Sequence, residues 1–170
     1  MRTILLILSA SIALSANPKE LNSFNSSFTQ TITDEHKKVI KYSGELWASK
    51  PQSALWVYKK PINKKIYING TSVTIIEPDL EQAIIKRLDD DIDFLAIIKN
   101  AKKLKNNHYV ADVQNQKYNI TLADGVVKNI SYKDEFDNKI DIKFDSPKQN
   151  TAINESIFKP SIPSDFDIIR

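Results

Sequence analysis

The chain contains no cysteine, which excludes disulfides, thiolate nucleophiles and cysteine-ligated zinc. Glycine is scarce, with three in 170 residues. No G-x-S-x-G elbow, Walker loop or Gly-rich dinucleotide turn occurs among them. The histidines are His36 and His108. Neither has a partner at metal-ligand spacing, no H-E-x-x-H is present, and both sit beside turns or strand starts, where surface placement is expected. An excess of charge of one sign is also missing. The net charge is +3 and Arg2 is the one charged residue in 1–16, so the rest is closer still to neutral. That balance gives no electrostatic case for nucleic acid. Finally, the apolar run Ile4–Ala16 is shorter than the roughly 20 residues a membrane span needs.

What the chain does have is a composition of 41% hydrophobic and 26% charged residues, which is that of a globular domain with a core. The segment 1–16 reads as a secretory signal: a basic start at Arg2, the apolar run, and small residues at Ala13, Ser15 and Ala16 before Asn17-Pro18. A buried N-terminal helix is the alternative. Residues 17–170 are then expected to be one domain, free outside the cytoplasm, since no cysteine is available for lipidation. The acidic run Asp89-Asp90-Asp91-Ile92-Asp93 has the alternate spacing that opens an EF-hand. Its sixth position is Phe94 where glycine is required, and its twelfth is Asn100 where Glu is required, so helix capping is the better account.

Leu21, Phe24 and Phe28 recur at helical spacing, which predicts a short amphipathic helix over 18–27. Strands are expected at 29–33, 39–49, 54–58, 65–68 and 73–76. Pro51 breaks the second from the third. Asn69-Gly70 is placed as a type I′ hairpin turn. Residues 81–88 suit either a strand or a helix. A second short helix is expected over 92–100, then strands at 109–113, 118–122, 126–132 and 139–145. In the last, Ile140, Ile142 and Phe144 alternate with Lys139, Asp141, Lys143 and Asp145, the pattern of a sheet with one wet face. The tail 157–169 is broken by Pro160 and Pro163. The fold expected is α+β and mostly β: one highly curved antiparallel sheet, an unclosed barrel, with two or three short helices on its apolar face. Trp47 and Trp56 fall on neighbouring strands.

In order along the chain come Ser23-Phe24-Asn25-Ser26-Ser27-Phe28-Thr29-Gln30, then Gly44-Glu45-Leu46-Trp47, Lys50-Pro51, Trp56, Tyr58 and Pro61. Asn69-Gly70, Glu77-Pro78-Asp79-Leu80-Glu81-Gln82-Ala83 and Phe94-Leu95-Ala96-Ile97-Ile98 follow, and Phe158, Pro160 and Pro163 complete the set. This order and spacing resembles the LolA family of periplasmic lipoprotein carriers. The resemblance implies an incomplete β-barrel with helices as a lid. It implies a carrier that takes lipoproteins from an inner-membrane ABC release complex and hands them to an outer-membrane lipoprotein receptor. No enzyme activity, cofactor or metal is implied, and the chain is expected to act as a monomer. The candidate acyl-chain lining is Leu21, Phe24, Phe94, Leu95 and Ile98 on helices, facing Leu46, Trp56, Tyr58, Ile66, Ile68, Val73 and Ile75 on the sheet. Plain core packing is the alternative for each of these residues. The family's lid latch is an arginine before the proline of a K-R-P turn. Here that place is Lys50, a single ammonium without the planar fork. Ala54 stands where many members have a bulky aromatic. A carrier of another lipid on the same fold, an exported hydrolase and a protein-binding adaptor are the rival functions.

Overall fold

The computed structural model describes residues 20–88 and 94–170. The signal segment expected at 1–16 and the capping run at 89–93 lie outside the described residues. A first series of strands comprises β1 (Ser23–Thr33), β2 (Val39–Ser49), β3 (Ser53–Lys60), β4 (Lys64–Asn69), β5 (Ser72–Glu77) and β6 (Gln82–Arg87). Helix α1 (Phe94–Lys99) follows. A second series comprises β7 (Lys102–Lys105), β8 (His108–Val113), β9 (Gln116–Ala123), β10 (Val126–Lys133) and β11 (Lys139–Gln149), and β12 (Asp167–Ile169) ends the chain. All belong to one 12-stranded sheet in the order β12-β6-β5-β4-β3-β2-β1-β11-β10-β9-β8-β7. Two antiparallel meanders therefore meet at the β1–β11 pair, and the edges β12 and β7 do not pair with each other. The barrel is unclosed and mostly β, as the sequence led us to expect.

The first helix is a correction. Residues 23–33 are strand β1, not part of a helix over 18–27. Phe24 and Phe28 lie four apart, a spacing that suits one face of a helix and one face of a strand alike. The true period of two runs through Phe24, Ser26, Phe28 and Gln30, all buried, and two of those four are polar. Leu21 lies just before the strand and packs into the same inner cluster. The ambiguous segment 81–88 resolves as strand β6, Gln82–Arg87, with Ile84 opposite Ile75. The Asn69-Gly70 hairpin forms one residue later than expected. Asn69 pairs with Ser72, so the loop is Gly70-Thr71, and positive φ is found at Gly70 (φ 56), the glycine-first arrangement of a II′ turn. The helical structure described comprises α1, two 3-10 turns, Pro78–Leu80 and Glu155–Phe158, and a 3-10 conformation at Glu20.

The sheet has two cores. The inner, concave one joins Phe24, Phe28, Leu46, Ile98, Ile120, Val127 and their neighbours. The outer one lies under residues 150–166, which fold back over β2–β6. There Phe158, 2% exposed, packs with Leu55, Tyr67, Ile76 and Ala83, flanked by Trp47 and Ile157. Asn69 Nδ2 donates to the Phe158 carbonyl at 3.0 Å, and Ser49 Oγ donates to Glu155 Oε1 at 2.9 Å. Strands β3 and β4 are thus apolar on both faces, which is why they read as near-continuous hydrophobic runs. Trp47 and Trp56 sit on opposite sides: Trp47 opposes Leu55, whereas Trp56 opposes Leu46 on the inner face.

Gly44 marks a close approach. A Cβ there would collide with the Val57 carbonyl oxygen and come within 3.0 Å of the Phe28 ring, beside the irregularity between Ser43 and Gly44. Gly44→Ala should cost about 1–3 kcal/mol in urea unfolding; an unchanged midpoint would show that β3 can move away freely. Phe158→Ala should cost about 3–5 kcal/mol and expose the 150–166 segment to limited proteolysis before the rest of the chain. Cleavage no faster than in the parent would mean that other contacts hold this segment.

Candidate functional site

The concave face is built by parity. Direct cross-strand partners share a face of a sheet, so the registers Leu46–Trp56, Trp56–Ile66 and Ile66–Ile75 put these four side chains on one side. Ile68 and Val73 pair on that same side. Facing them are Ile142 and Ile130, themselves direct partners, with Ile120 next in the row. Helix α1 lies between the walls. Its buried residues are Phe94, Leu95 and Ile98, 3%, 5% and 0% exposed. Phe94 is gripped by aromatics: its ring centroid is 4.6 Å from Phe24, 5.6 Å from Phe144 and 6.5 Å from Trp56. This cluster closes one end of the concave space.

The space is not filled. A cavity of about 150 Å³ remains, bounded by Trp56, Ile68, Ile130 and Ile142 on the sheet, Phe94 and Ile97 on α1, and the rings of Tyr118 and Tyr132. A larger hollow of about 330 Å³ lies among Gln116, Lys117, Asn119, Ser131, Lys133 and Lys139, with Tyr132 at its border. Its walls are surface residues of polar or charged type, whereas the smaller cavity is walled by apolar and aromatic side chains and is the candidate site. Buried polar residues described are Ser23, Ser26, Gln30, Ser49 and Thr74, none of them charged. Among the described residues the buried interior carries no charged side chain.

Polarity returns at one end of the cavity. The Tyr58 hydroxyl donates to Gln30 Oε1 at 2.8 Å. The Tyr42 ring meets Tyr58 edge-on at 5.9 Å, and Tyr118 lies 5.0 Å from Tyr132. Burial, and then the neighbouring phenols Tyr132 and Tyr42, push the Tyr58 hydroxyl above its ordinary pKa. Burial also raises Tyr118, and raises Tyr132 with help from Tyr118 and Asp134. All three phenols stay protonated near neutrality, and that of Tyr58 donates to Gln30.

Of the residues singled out from the sequence, Trp56, Ile68 and Phe94 touch the cavity. Leu21, Phe24, Leu46, Tyr58, Leu95 and Ile98 belong to the inner cluster around it. Leu21 and Phe24 reach that cluster from β1 and its approach, not from a helix. Ile66, Val73 and Ile75 extend the same face toward the β12 edge. Lys50 is exposed in the β2–β3 turn, where its backbone N–H donates to the Asn22 carbonyl at 2.9 Å. Sequence reasoning missed Ile97, Tyr118, Ile130, Tyr132 and Ile142 as cavity walls. The alternation of Ile140, Ile142 and Phe144 already marked the face that β11 contributes.

An unclosed barrel with an oily, incompletely filled interior, stoppered by one short helix, has the architecture of proteins that shelter an apolar ligand. The chain belongs to the family described as outer membrane lipoprotein carrier protein LolA, whose sequence model matches residues 19–161. A Campylobacter jejuni outer-membrane lipoprotein carrier protein is 40% identical over 149 residues, covering 88% of this chain and 87% of that one. Its counterpart from Wolinella succinogenes is 37% identical over 154 residues, covering 89% of each. One from Helicobacter pylori is 34% identical over 182 residues, covering 100% and 97%. In fold, the chain is similar to an uncharacterised conserved protein from Thermus thermophilus, with a TM-score of 0.56 at 15% identity and coverage of 92% and 94%.

Because Phe94 meets Phe24, Phe144 and Trp56, Phe94→Ala should lower stability by about 3–5 kcal/mol in chemical denaturation, with the β-sheet circular dichroism signal kept. The same variant should bind an apolar fluorophore more readily, since α1 loses its anchor. A variant as stable as the parent would show that the cluster does not hold the helix.

Proposed function

We propose that this chain is a periplasmic carrier that takes up the acyl chains of lipoproteins leaving the inner membrane and delivers them to an outer-membrane receptor. The observation that carries the reading is the apolar cavity beneath α1. Membership of the carrier family supports it. The reading is of a carrier, not a catalyst. Its partners are the acylated cargo, an inner-membrane ABC release complex and an outer-membrane lipoprotein of related fold.

The magnitudes fit a reversible carrier. Each buried methylene contributes about 0.8 kcal/mol, so full burial of several acyl chains would bind too tightly to release. The cavity, at about 150 Å³, is roughly half the lower bound of an ordinary ligand pocket of about 300 Å³. Uptake therefore requires α1 to move, and the lost contacts of Phe94, Leu95 and Ile98 offset part of the gain from the acyl chains. In this scheme the twelve residues named from the sequence, with Ile97, Ile130 and Ile142, form the lining that the cargo meets as α1 withdraws. Lys50 takes the place of a lid latch, and its lone ammonium gives a looser hold than a guanidinium would.

The two tryptophans supply a test. In Trp47→Phe the remaining Trp56 reports from the cavity wall. Adding a triacylated lipopeptide should shift its emission, while the same peptide without acyl chains should not. In Trp56→Phe the remaining Trp47, under the 150–166 segment, should stay silent. A response from Trp47 with none from Trp56 would place binding on the outer face and sink the proposal.

A further inference from the structure

The turns β1–β2, β3–β4 and β5–β6 lie at one end of the sheet, because successive strands run antiparallel. The β10–β11 turn joins them there, since Val39 and Lys139 both lie opposite Thr33. That end carries Val39, Ile40, Ile62, Leu80 and Phe136, five of the eight exposed large hydrophobics described. Their electrical settings differ. Leu80 stands among Glu77, Asp79 and Glu81, and Phe136 has Asp134, Glu135 and Asp137 against Lys133. Val39, Ile40 and Ile62 have the opposite surroundings: residues 37–41 and 59–65 hold seven lysines and no acidic residue. The two segments meet in space. Ser43 and Lys60 are the last partners of β2 and β3, so residues 39–42 project past β3 next to the turn at 61–63. Lys59 pairs with Glu45 at 3.0 Å, and Lys64 lies 5.1 Å from the centre of the Tyr58 ring. The ion pairs found among the described residues engage none of the other five lysines.

Composition decides the kind of partner. The buried centre of a protein interface is enriched in aromatic residues and Arg and poor in Lys. Residues 37–41 and 59–65 contain neither Arg nor an aromatic. Lysines near an anionic lipid surface are each attracted to it, and aliphatic side chains among them can enter the boundary between headgroups and acyl chains. We propose that this corner docks on an anionic bilayer, with the ammoniums at the lipid phosphates and Val39, Ile40 and Ile62 reaching below them. The acidic surroundings of Leu80 and Phe136 are repelled by the same surface, so the chain meets it by one corner and not by the whole rim. Ile40 lies opposite Ile32, which packs against the inner core. Docking therefore sets one end of the concave face against lipid. The proposal concerns where the chain meets a membrane and stands whatever the cavity holds.

Because the chain has no cysteine, an introduced thiol takes a label at one place. Full chains carrying Ile62→Cys, Leu80→Cys or Leu104→Cys are labelled with nitrobenzoxadiazole. Leu80 is the acidic control at the same end, and Leu104 is the competing site, exposed among the lysines of β7. Each is mixed with vesicles of phosphatidylcholine alone, or of phosphatidylcholine and phosphatidylglycerol in equal parts. With phosphatidylglycerol the Ile62→Cys label should brighten and shift to the blue more than either of the others, and with phosphatidylcholine alone it should not. No response at Ile62→Cys, or a response as large at either of the other labels, overturns the proposal. Adding Lys37→Gln, Lys38→Gln and Lys60→Gln to Ile62→Cys should raise the lipid concentration at half response by about tenfold or more, since each lysine near the surface is worth about fivefold. These three lysines are exposed, so their loss should leave the fold intact. An unchanged half-response concentration overturns the proposal and leaves the carrier reading as it was.

Discussion

A sheet whose two edges never meet leaves its concave face without a second sheet to cover it, and among the described residues the helical cover is α1. A short helix is marginal on its own in water. Its position depends on what it buries, above all on Phe94 wedged among Phe24, Phe144 and Trp56. The rest of the structure follows from that dependence. The sheet must curve far enough for strands from both meanders to reach one helix, and β1 and β11 must pair at the middle to make the curve continuous. Gly44 lets β3 pass close to β2 so that Phe28 can turn inward.

The two faces are treated in opposite ways. The outer face of β2–β6 is covered by residues 150–166, tied by Phe158 and by hydrogen bonds from Asn69 and Ser49. β12 then adds to β6 in parallel and continues the sheet. That cover is part of a packed core. The inner face is covered by α1, which is anchored by Phe94, Leu95 and Ile98 and leaves a void beside it. Dense packing resists gradual deformation, so a protein that must open is served by concentrating looseness in one element and rigidity everywhere else. The outer cover braces the wall against which α1 packs.

Most of the sheet could be read from the residues because strand alternation survives wherever one face is wet. β11 shows it most clearly, and β2–β5 and β8–β10 also fell where alternation placed them. β1 did not, because Ser26 and Gln30 occupy inward positions and erase the apolar half of the pattern, leaving a spacing of four that a helix also satisfies. β7 was invisible because Lys102, Lys103, Leu104 and Lys105 are all exposed. The outer core was invisible for a different reason. Residues 150–166 carry isolated apolar side chains between prolines, and nothing local says which face of which strand they cover. Parity could have separated Trp47 from Trp56, since both belong to strands of known register. Tyr118 and Tyr132 read as ordinary strand aromatics, and only the fold brings them together.

The exposed ends of the sheet close the physical account. An open sheet presents unpaired N–H and C=O groups at both edges, and such edges invite pairing with other chains. Strand β12 is only three residues long. Strand β7 places three lysines in four residues at the other edge, every one exposed. Charge and brevity at the edges are common protections against edge-to-edge association. They matter more here than in a closed barrel, because closure would remove the edges but also the freedom of the walls and of α1 to part. An unclosed barrel keeps its interior accessible by leaving edges open, and the lysines of β7 oppose the addition of another strand at that edge.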